Sequence, residues 1–240
     1  MPAHRVKLKE RQEVARGTMS FHFERPAGFQ FTAGQFMDIR LLDPPDFAAD
    51  DSKRHFTIAS PPSEGNLMIA TRMRDSAFKR ALKTIPIGSD VEIDEPKGKF
   101  TLHSDESRPA VFLAGGIGIT APRSILLQAL HENLSHRIFH FYSDQRPEEA
   151  AFLEELERIA RENPHYTLIP TMTEAERSGQ QWRGETRRID MNMIKEHIED
   201  VEAPIYYASG PPKMVKAMKE MLKRPGIDEH DIRTEEYTGY

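Results

Sequence analysis

The stretch Leu113-Ala-Gly-Gly-Ile-Gly-Ile-Thr-Ala-Pro-Arg-Ser124 is the strongest single signal in this sequence. The apolar run Ala110–Ala114 leads into it and predicts a buried strand, and the pattern from Pro122 to Leu134 predicts a helix. A strand, a glycine turn and a helix in this order form the layout that binds the diphosphate of a dinucleotide. The helix N-terminus offers N–H groups and a partial positive charge to such an anion.

Three residues of this stretch have distinct expected roles. Residues 116–121 fit the pattern G-x-G-x-x-[GA], in which Gly116 makes the tight turn and Gly118 lets the backbone approach a phosphate. Ala121 lets the helix pack closely on the strand. A strand-to-helix turn also needs glycine for structural reasons alone, so the stretch by itself leaves open both a ligand site and an ordinary turn.

Composition narrows the class of protein. The 240 residues suit two modest domains or one large one, and the net charge of −5 argues against a nucleic-acid binder. Without cysteine, the sequence cannot hold a disulfide or a cysteine-bound iron–sulfur cluster, although a partner protein can. The ten histidines show no metal-binding spacing. No apolar run is long enough to span a membrane and the first ten residues lack a signal-peptide core, so we expect a cytoplasmic protein.

Short alternating segments separated by turn residues predict an antiparallel β-barrel or sandwich over residues 1–105. The predicted strands are residues 4–10, 19–24, 35–41, 55–59, 66–71 and 90–94. One helix interrupts this series, from about Ser76 to Thr84.

The polar stretch Asp105–Pro109 marks a change, after which strands alternate with longer helices. This alternation predicts a second, Rossmann-like α/β domain with a parallel sheet over residues 106–240. The predicted strands are 110–114, 137–142, 166–170, 204–208 and 233–237, and the predicted helices are 122–134, 147–162, one from about 190, and 213–223. Ligands of such sheets bind at the carboxyl ends of the strands.

A β-domain followed by a nucleotide-type α/β domain resembles the ferredoxin–NADP⁺ reductase superfamily, and five short motifs in the family's order carry the resemblance. They are Arg54-His-Phe-Thr57 for the flavin motif R-x-[YF]-[ST], Arg72–Ser76 for the second flavin segment, Gly115–Thr120 for the nicotinamide loop, Ser209–Met214 for C-G-P-x-x-M, and Glu236–Tyr240 for the E-x-F-x-G-Y end. The resemblance covers essentially the whole chain.

The resemblance implies that the first domain binds FAD. Arg54 would pair with the flavin diphosphate, since guanidinium stays charged and forks onto phosphate. Phe56 would pack against the isoalloxazine, and Thr57 would hydrogen-bond near its N5. The other residues implied on this side are His55, Ile69, Ala70, Thr71 and Ser76. Residues 54–57 can also form an ordinary strand, Ser76 can be a plain helix cap, and Asp75 would repel phosphate unless it points away.

The same resemblance implies a nicotinamide site in the second domain. The implied residues are Gly115, Gly116, Gly118, Thr120, Ser143, Arg146, Gly210 and Pro211, with Thr57, Ser209 and Glu236 close to the reaction. Glu236 can instead be a surface charge, and Tyr240 either stacks on the flavin or is a frayed end. Ser143-Asp-Gln-Arg146 offers both an acid and a cation, which leaves NAD(H) and NADP(H) open; the nearby Arg183, Arg187 and Arg188 favour NADP(H) slightly.

The implied function is an FAD-dependent NAD(P)H oxidoreductase that passes electrons to a carrier such as a ferredoxin or an iron–sulfur oxygenase component. A basic cluster around the flavin helix suits an acidic carrier, although it can also be a solvated face; its residues are Arg72, Arg74, Lys79, Arg80 and Lys83. Two alternatives stay open: a flavin or ferric reductase with a small-molecule acceptor, and a non-enzymatic subunit that senses NAD(P)H.

Overall fold

An antiparallel sheet forms the first part of the fold, in a computed structural model that describes residues 3–42 and 52–238. Its strands are β1 (His4–Ala15), β2 (Thr18–Glu24), β3 (Phe36–Leu41), β4 (Lys53–Thr57), β5 (Asn66–Arg72) and β6 (Asp90–Ile93), in the order β4-β3-β6-β1-β2-β5. The two edge strands approach each other, because the N–H of Ala59 donates to the carbonyl oxygen of Met68 at 2.7 Å. The sheet is therefore barrel-like, as predicted.

Alternation of apolar and polar side chains builds the core of this barrel. Val6 and Leu8 of β1 face inward with Phe21 and Phe23 of β2, and all four are almost completely buried. The helix α1 (Ala77–Thr84) adds Phe78 and Leu82 to the same cluster. Burial of these apolar surfaces is the main stabilising contribution in this half.

A parallel sheet forms the second part. Its strands are β7 (Ala110–Gly115), β8 (Ile138–Asp144), β9 (Tyr166–Met172), β10 (Ile205–Gly210) and β11 (Ile232–Glu236), in the order β11-β10-β7-β8-β9. The helices are α2 (Thr120–His131), α3 (Leu153–Glu162), α4 (Met191–Lys195) and α5 (Pro212–Lys223). Alternate residues of the central strand β7 pack into two separate apolar clusters, one on each face of the sheet. This arrangement confirms the predicted fold class.

Two predicted helices differ from those observed. The predicted helix 147–162 is broken, because a 3-10 turn over Pro147–Glu149 precedes α3 and Phe152 lies between them with a φ of 61°. That left-handed residue prevents a continuous helix. The helix predicted at 122–134 begins earlier, at Thr120, directly after a 3-10 turn over Gly116–Ile119.

Buried polar side chains of α2 join the two sheets. Arg123 donates to the carbonyl oxygen of Ala59 at 2.8 Å, and Ser124 donates to that of Ser60 at 2.7 Å. Both side chains are almost fully buried, so these contacts fix the end of β7 beside the barrel. The predicted boundary between residues 105 and 106 falls between β6 and β7 and stays a prediction. Among the described helices, none has the length and apolar character that crossing a bilayer requires.

Candidate functional site

A cavity of about 360 Å³ lies where the barrel meets the carboxyl end of the parallel sheet. Several predicted site residues line it: Arg54, His55, Phe56, Thr57, Ala70, Thr71, Ser76 and Glu236. The other lining residues are Phe36, Phe78, Lys79, Ile117, Glu235, Tyr237 and Thr238. Its volume lies in the range of small-molecule sites. The cavity thus combines side chains from both sheets.

The strand β4 contributes four consecutive residues to this cavity. Alternation along a strand puts successive side chains on opposite faces, yet all four residues 54–57 of the edge strand β4 border this cavity. The Phe56 ring packs 5.6 Å from that of Phe78, and the Arg54 guanidinium lies 5.9 Å from the Phe78 ring centre. One wall therefore has an apolar aromatic part with a cation at its edge.

The first turn of α1 forms another wall. The Ser76 hydroxyl accepts a hydrogen bond from the backbone N–H of Lys79 at 3.3 Å, so it caps the helix as predicted. Asp75 pairs with Arg80 and has an 85% exposed side chain. The residue that we expected to repel a phosphate therefore does not line the cavity.

Three hydroxyl groups connect the barrel to the parallel sheet at the base of the cavity. The Tyr237 hydroxyl lies 2.8 Å from that of Thr57 and 3.2 Å from that of Thr120. Thr57 donates to a carboxylate oxygen of Glu235 at 3.4 Å, and Thr120 donates to the carbonyl oxygen of Ile117 at 3.0 Å. The predicted site residues Thr57 and Thr120 are thus linked through a tyrosine that we did not predict.

Glu235 is a buried carboxylate at this junction. Burial raises its pKa to about 7, against the opposing effect of the Thr57 hydrogen bond. One of its carboxylate oxygens is buried without a hydrogen-bond partner. Glu235 also borders a second cavity of about 270 Å³ that Lys99 and Arg233 help to line. This carboxyl group can therefore change its protonation state near neutral pH inside the site.

The structure places Glu235 against Thr57, whereas we had assigned Glu236 to that role. Glu236 lines the cavity but is exposed, because it faces the opposite side of β11 from Glu235. A closer match to the motif was available in the sequence: counted from Glu235, the end of the chain reads E-x-Y-x-G-Y, with the aromatic residue two places after the acid. In this alignment Tyr237 occupies the aromatic position of the motif.

The glycine turn has one residue that fits its predicted role and one that does not. Gly116 has a φ of 55°, the left-handed conformation that a tight turn needs. A Cβ atom on Gly118 would lie 2.4 Å from the carbonyl oxygen of Ser209. Gly118 therefore allows the turn to pack on β10, and the space beside its Cα is filled by protein rather than open to a phosphate.

Arg72, which we predicted in the basic cluster, instead connects the two sheets. Its guanidinium lies 2.6 Å from both carboxylate oxygens of Asp144, at the end of β8. It also lies within 4 Å of the position that a Cβ on Gly116 would take. Burial raises the pKa of Asp144 and the neighbouring Arg72 opposes this change. The pair therefore stands beside the glycine turn rather than on a surface facing a partner.

Comparison with known proteins agrees with this architecture. A family model for the oxidoreductase NAD-binding domain matches residues 112–220. The chain is 25% identical over 236 residues to the phenol hydroxylase P5 protein of Acinetobacter pittii, covering 97% of this chain and 64% of that protein. It is 26% identical over 230 residues to ferredoxin–NADP reductase B of Sorangium cellulosum, covering 90% and 89%.

The fold extends this similarity to a solved structure. A ferredoxin–NADP⁺ reductase from Neisseria gonorrhoeae with bound FAD and NADP superposes with a TM-score of 0.82 over 98% of both chains, at 20% identity. The chain is thus similar in sequence and in two-domain fold to the ferredoxin–NADP⁺ reductase superfamily. It spans between 57% and 64% of the length of three superfamily relatives, so those proteins carry additional segments.

Several site residues that the family resemblance implies do not border the cavity. Ser209 is fully buried and donates to the carbonyl oxygen of Gly118 at 2.8 Å, so its hydroxyl braces the turn. Ile69 is fully buried in the barrel core. The others lie along the carboxyl edge of the parallel sheet: Gly115, Gly116, Gly118, Thr120, Ser143, Arg146, Gly210 and Pro211. Tyr240 lies outside the described residues.

Two of the four arginines considered for binding NADP(H), Arg146 and Arg187, form ion pairs. Arg146 pairs with Glu149, and its Nε atom lies 3.9 Å from Glu148. Arg187 pairs with Glu185 and Glu196. Since these carboxylates already neutralise Arg146 and Arg187, these two arginines no longer favour NADP(H) over NAD(H). Among the described residues, no group of histidine and acidic side chains could hold a metal ion.

Proposed function

We propose that this chain is an FAD-dependent NAD(P)H oxidoreductase that passes electrons to a second protein. The observation that carries the proposal is the single cavity shared by the flavin-motif residues of β4, the turn residue Ile117 and the C-terminal residues 235–238. It brings residues from both sheets to one place, as a reaction between two cofactors requires. Cytoplasmic location and the boundary between residues 105 and 106 belong to the same proposal.

The residues around the cavity fit a flavin dinucleotide. Arg54 and Lys79 are cations, and the N-terminus of α1 adds backbone donors for a diphosphate. Phe56 offers an apolar face for a ring, while Thr57 and Glu235 offer hydrogen-bonding groups at one end. The partnerless oxygen of Glu235 shows that this end of the cavity can still take a donor.

When bound, the flavin supplies the exchange of electrons between a reduced nicotinamide and an acceptor. The protein holds and aligns its ligands. Gly116 gives the turn its shape, and Ile117 borders the cavity. Thr57 and Glu235 place one hydroxyl and one titratable carboxyl beside the ring site.

We propose NADH as a substrate at least as good as NADPH. Asp144 ends the strand that follows the glycine turn, the place from which an acid accepts the ribose hydroxyls of NAD. In the structure the Arg72 guanidinium donates a hydrogen bond to the Asp144 carboxylate. A 2′-phosphate at this edge would have to displace Glu149 from Arg146, which costs NADPH part of its binding energy.

The acceptor that we propose is a ferredoxin or an iron–sulfur oxygenase component, following relatives named as a phenol hydroxylase protein and a ferredoxin–NADP reductase. Arg74 and Lys83 are exposed next to the cavity helix and carry the charge that an acidic carrier would meet. Reduction of such a carrier should slow steeply as salt rises. A salt-insensitive rate, with free flavin or ferric complexes as better acceptors, would support the small-molecule alternative.

Anaerobic titration of the FAD-loaded protein with NADH, and separately with NADPH, tests the proposed function. We expect bleaching of the flavin absorbance by NADH at a concentration no higher than that of NADPH. A preparation that binds no FAD after reconstitution would reject the proposal and favour the sensing subunit. Bleaching only by NADPH would support the oxidoreductase function but contradict the proposal that NADH is a substrate.

Arg54→Ala tests the assignment of the flavin site. We expect FAD affinity to fall by about 10- to 100-fold, because a charge-assisted hydrogen bond contributes about 1.5–3 kcal/mol. Arg40→Ala is the matched control, since Arg40 is exposed on the neighbouring strand β3 and pairs with Glu92 at 3.8 Å. Equal FAD affinity in the two variants would contradict the role of Arg54.

A further inference from the structure

The hydroxyl of Tyr237 stands between the two sheets, within hydrogen-bond distance of Thr57 on one side and Thr120 on the other. Thr57 directs its proton to Glu235, and Thr120 directs its proton to the carbonyl oxygen of Ile117. The Tyr237 hydroxyl lies 2.8 Å from that of Thr57 and 3.2 Å from that of Thr120, so it shares a hydrogen bond with a residue on each sheet's side of the junction.

The two hydroxyl groups that the Tyr237 phenol contacts belong to buried residues, so water has little access to these hydrogen bonds. The exposed fractions of Thr57 and Thr120 are 5% and 1%. Burial raises the pKa of Tyr237, with the nearby Glu235 adding to the effect, so the phenol keeps its proton. Thr57 belongs to β4 of the barrel and Thr120 begins α2 after the glycine turn. One side chain therefore spans the junction between the two parts of the fold.

We propose that Tyr237 is a positioning residue whose hydroxyl holds Thr57 and Thr120 at a fixed separation. It keeps the flavin side of the cavity aligned with the glycine turn. The alignment role rests on the proposed function, whereas the hydrogen-bonded bridge is a property of the protein without cofactors. Phenylalanine at this position would fill the same space but leave both threonines without their shared partner.

Amide hydrogen exchange of the cofactor-free protein tests the bridge itself. In Tyr237→Phe we expect residues 117–120 to exchange about tenfold faster, the effect of losing one to two buried hydrogen bonds. Thr120→Val should give a similar acceleration, and the double variant should add less than about twofold, since both changes break the same bridge. Tyr206→Phe is the matched control, because its buried hydroxyl donates to the carbonyl oxygen of Val201 on the other face of the sheet.

Stopped-flow reduction of the FAD-loaded protein tests the alignment. At saturating NADH, Tyr237→Phe should lower the rate of flavin bleaching by about tenfold, while FAD affinity and the half-saturating NADH concentration change by less than about twofold. Unchanged exchange at residues 117–120, or an equal acceleration in Tyr206→Phe, would overturn the bridge. A normal reduction rate in Tyr237→Phe would overturn the positioning role. Failure of the wild-type protein to be reduced would instead reject the proposed oxidoreductase and leave the exchange result standing.

Discussion

Glu235 illustrates how burial changes the chemistry of one side chain. The adjacent Glu236 has the same carboxyl group and also borders the cavity, but it is exposed. Glu235 faces the cavity, where desolvation raises its pKa to about 7. Glu235 borders both the cavity of about 360 Å³ and that of about 270 Å³. The other charged and titratable residues of the first cavity are Arg54, His55, Lys79 and Glu236, and those of the second are Lys99 and Arg233. The two adjacent glutamates point to opposite faces of β11 and therefore differ in burial, and burial raises the pKa of Glu235.

The raised pKa of Glu235 predicts a pH-dependent stability. The folded protein keeps a proton on this group up to about pH 7, whereas the unfolded chain loses it near the ordinary value of 4.5. The contribution is therefore fully present below pH 4.5 and is lost as the pH rises through 7. Glu235→Gln should remove this loss, raising the free energy of unfolding at pH 8 by on the order of 2 kcal/mol with little effect at pH 5.

Chemical denaturation of the cofactor-free protein at both pH values checks this prediction. Glu236→Gln, with an exposed side chain on the same strand, is the matched control and should change stability equally little at pH 5 and pH 8. The prediction is wrong if Glu235→Gln gives no greater gain at pH 8 than the control.

The strands β5 and β8 belong to different sheets and are joined by the Arg72–Asp144 pair. The Asp144 side chain is only 3% exposed and that of Arg72 is 20% exposed. Burying two charges is costly, so such a pair contributes little net stability, but removing one partner leaves an uncompensated charge. The pair therefore fixes where the end of β5 lies relative to the glycine turn.

Arg72→Ala should lower the free energy of unfolding by about 3–5 kcal/mol at neutral pH, because it leaves the Asp144 carboxylate buried alone. Adding Asp144→Asn should recover part of that loss, since the second change removes the unpaired charge. Arg158→Ala is the control: Arg158 pairs with Glu162 at 3.0 Å on the exposed face of α3, where a loss below about 0.5 kcal/mol is expected. Equal losses in the two arginine variants, measured by denaturant unfolding, would contradict a buried role for Arg72.

The molecule as a whole places its candidate cofactor cavity at the junction of both sheets. A ligand bound there should stabilise the barrel and the parallel sheet together. FAD at a hundredfold excess over its Kd should raise the free energy of unfolding by about 2.7 kcal/mol. The chain has one tryptophan, Trp182, which packs against the parallel-sheet core.

Trp182 fluorescence therefore reports the half of the molecule that does not carry the flavin motif. We expect added FAD to shift the Trp182 unfolding transition as far as the transition followed by circular dichroism. Arg54→Ala should reduce both shifts at the same FAD concentration. If the unfolding transition followed by Trp182 fluorescence does not shift when FAD is added, the cofactor stabilises the barrel alone.

Local patterns were sufficient to predict both sheets and much of the cavity. Period-two alternation gave the barrel strands, the continuous apolar run 110–114 gave the buried central strand, and Gly116 has the left-handed φ that the turn pattern requires. Residues 54–57, predicted together as one flavin motif, all line the same cavity. Each of these features depends on neighbours within a few residues, which is why the amino-acid order alone determined them.

Contacts between distant residues were decided only by the tertiary structure. Thr57 meets Tyr237 across 180 positions, Arg72 meets Asp144 across 72, and Ser209 meets Gly118 across 91. The choice of Glu235 over Glu236 depended on which face of β11 lies against β4, and the close packing of Gly118 depended on where β10 lies. No periodicity or short motif encodes such distances, because they are set by how two separately patterned sheets pack against each other.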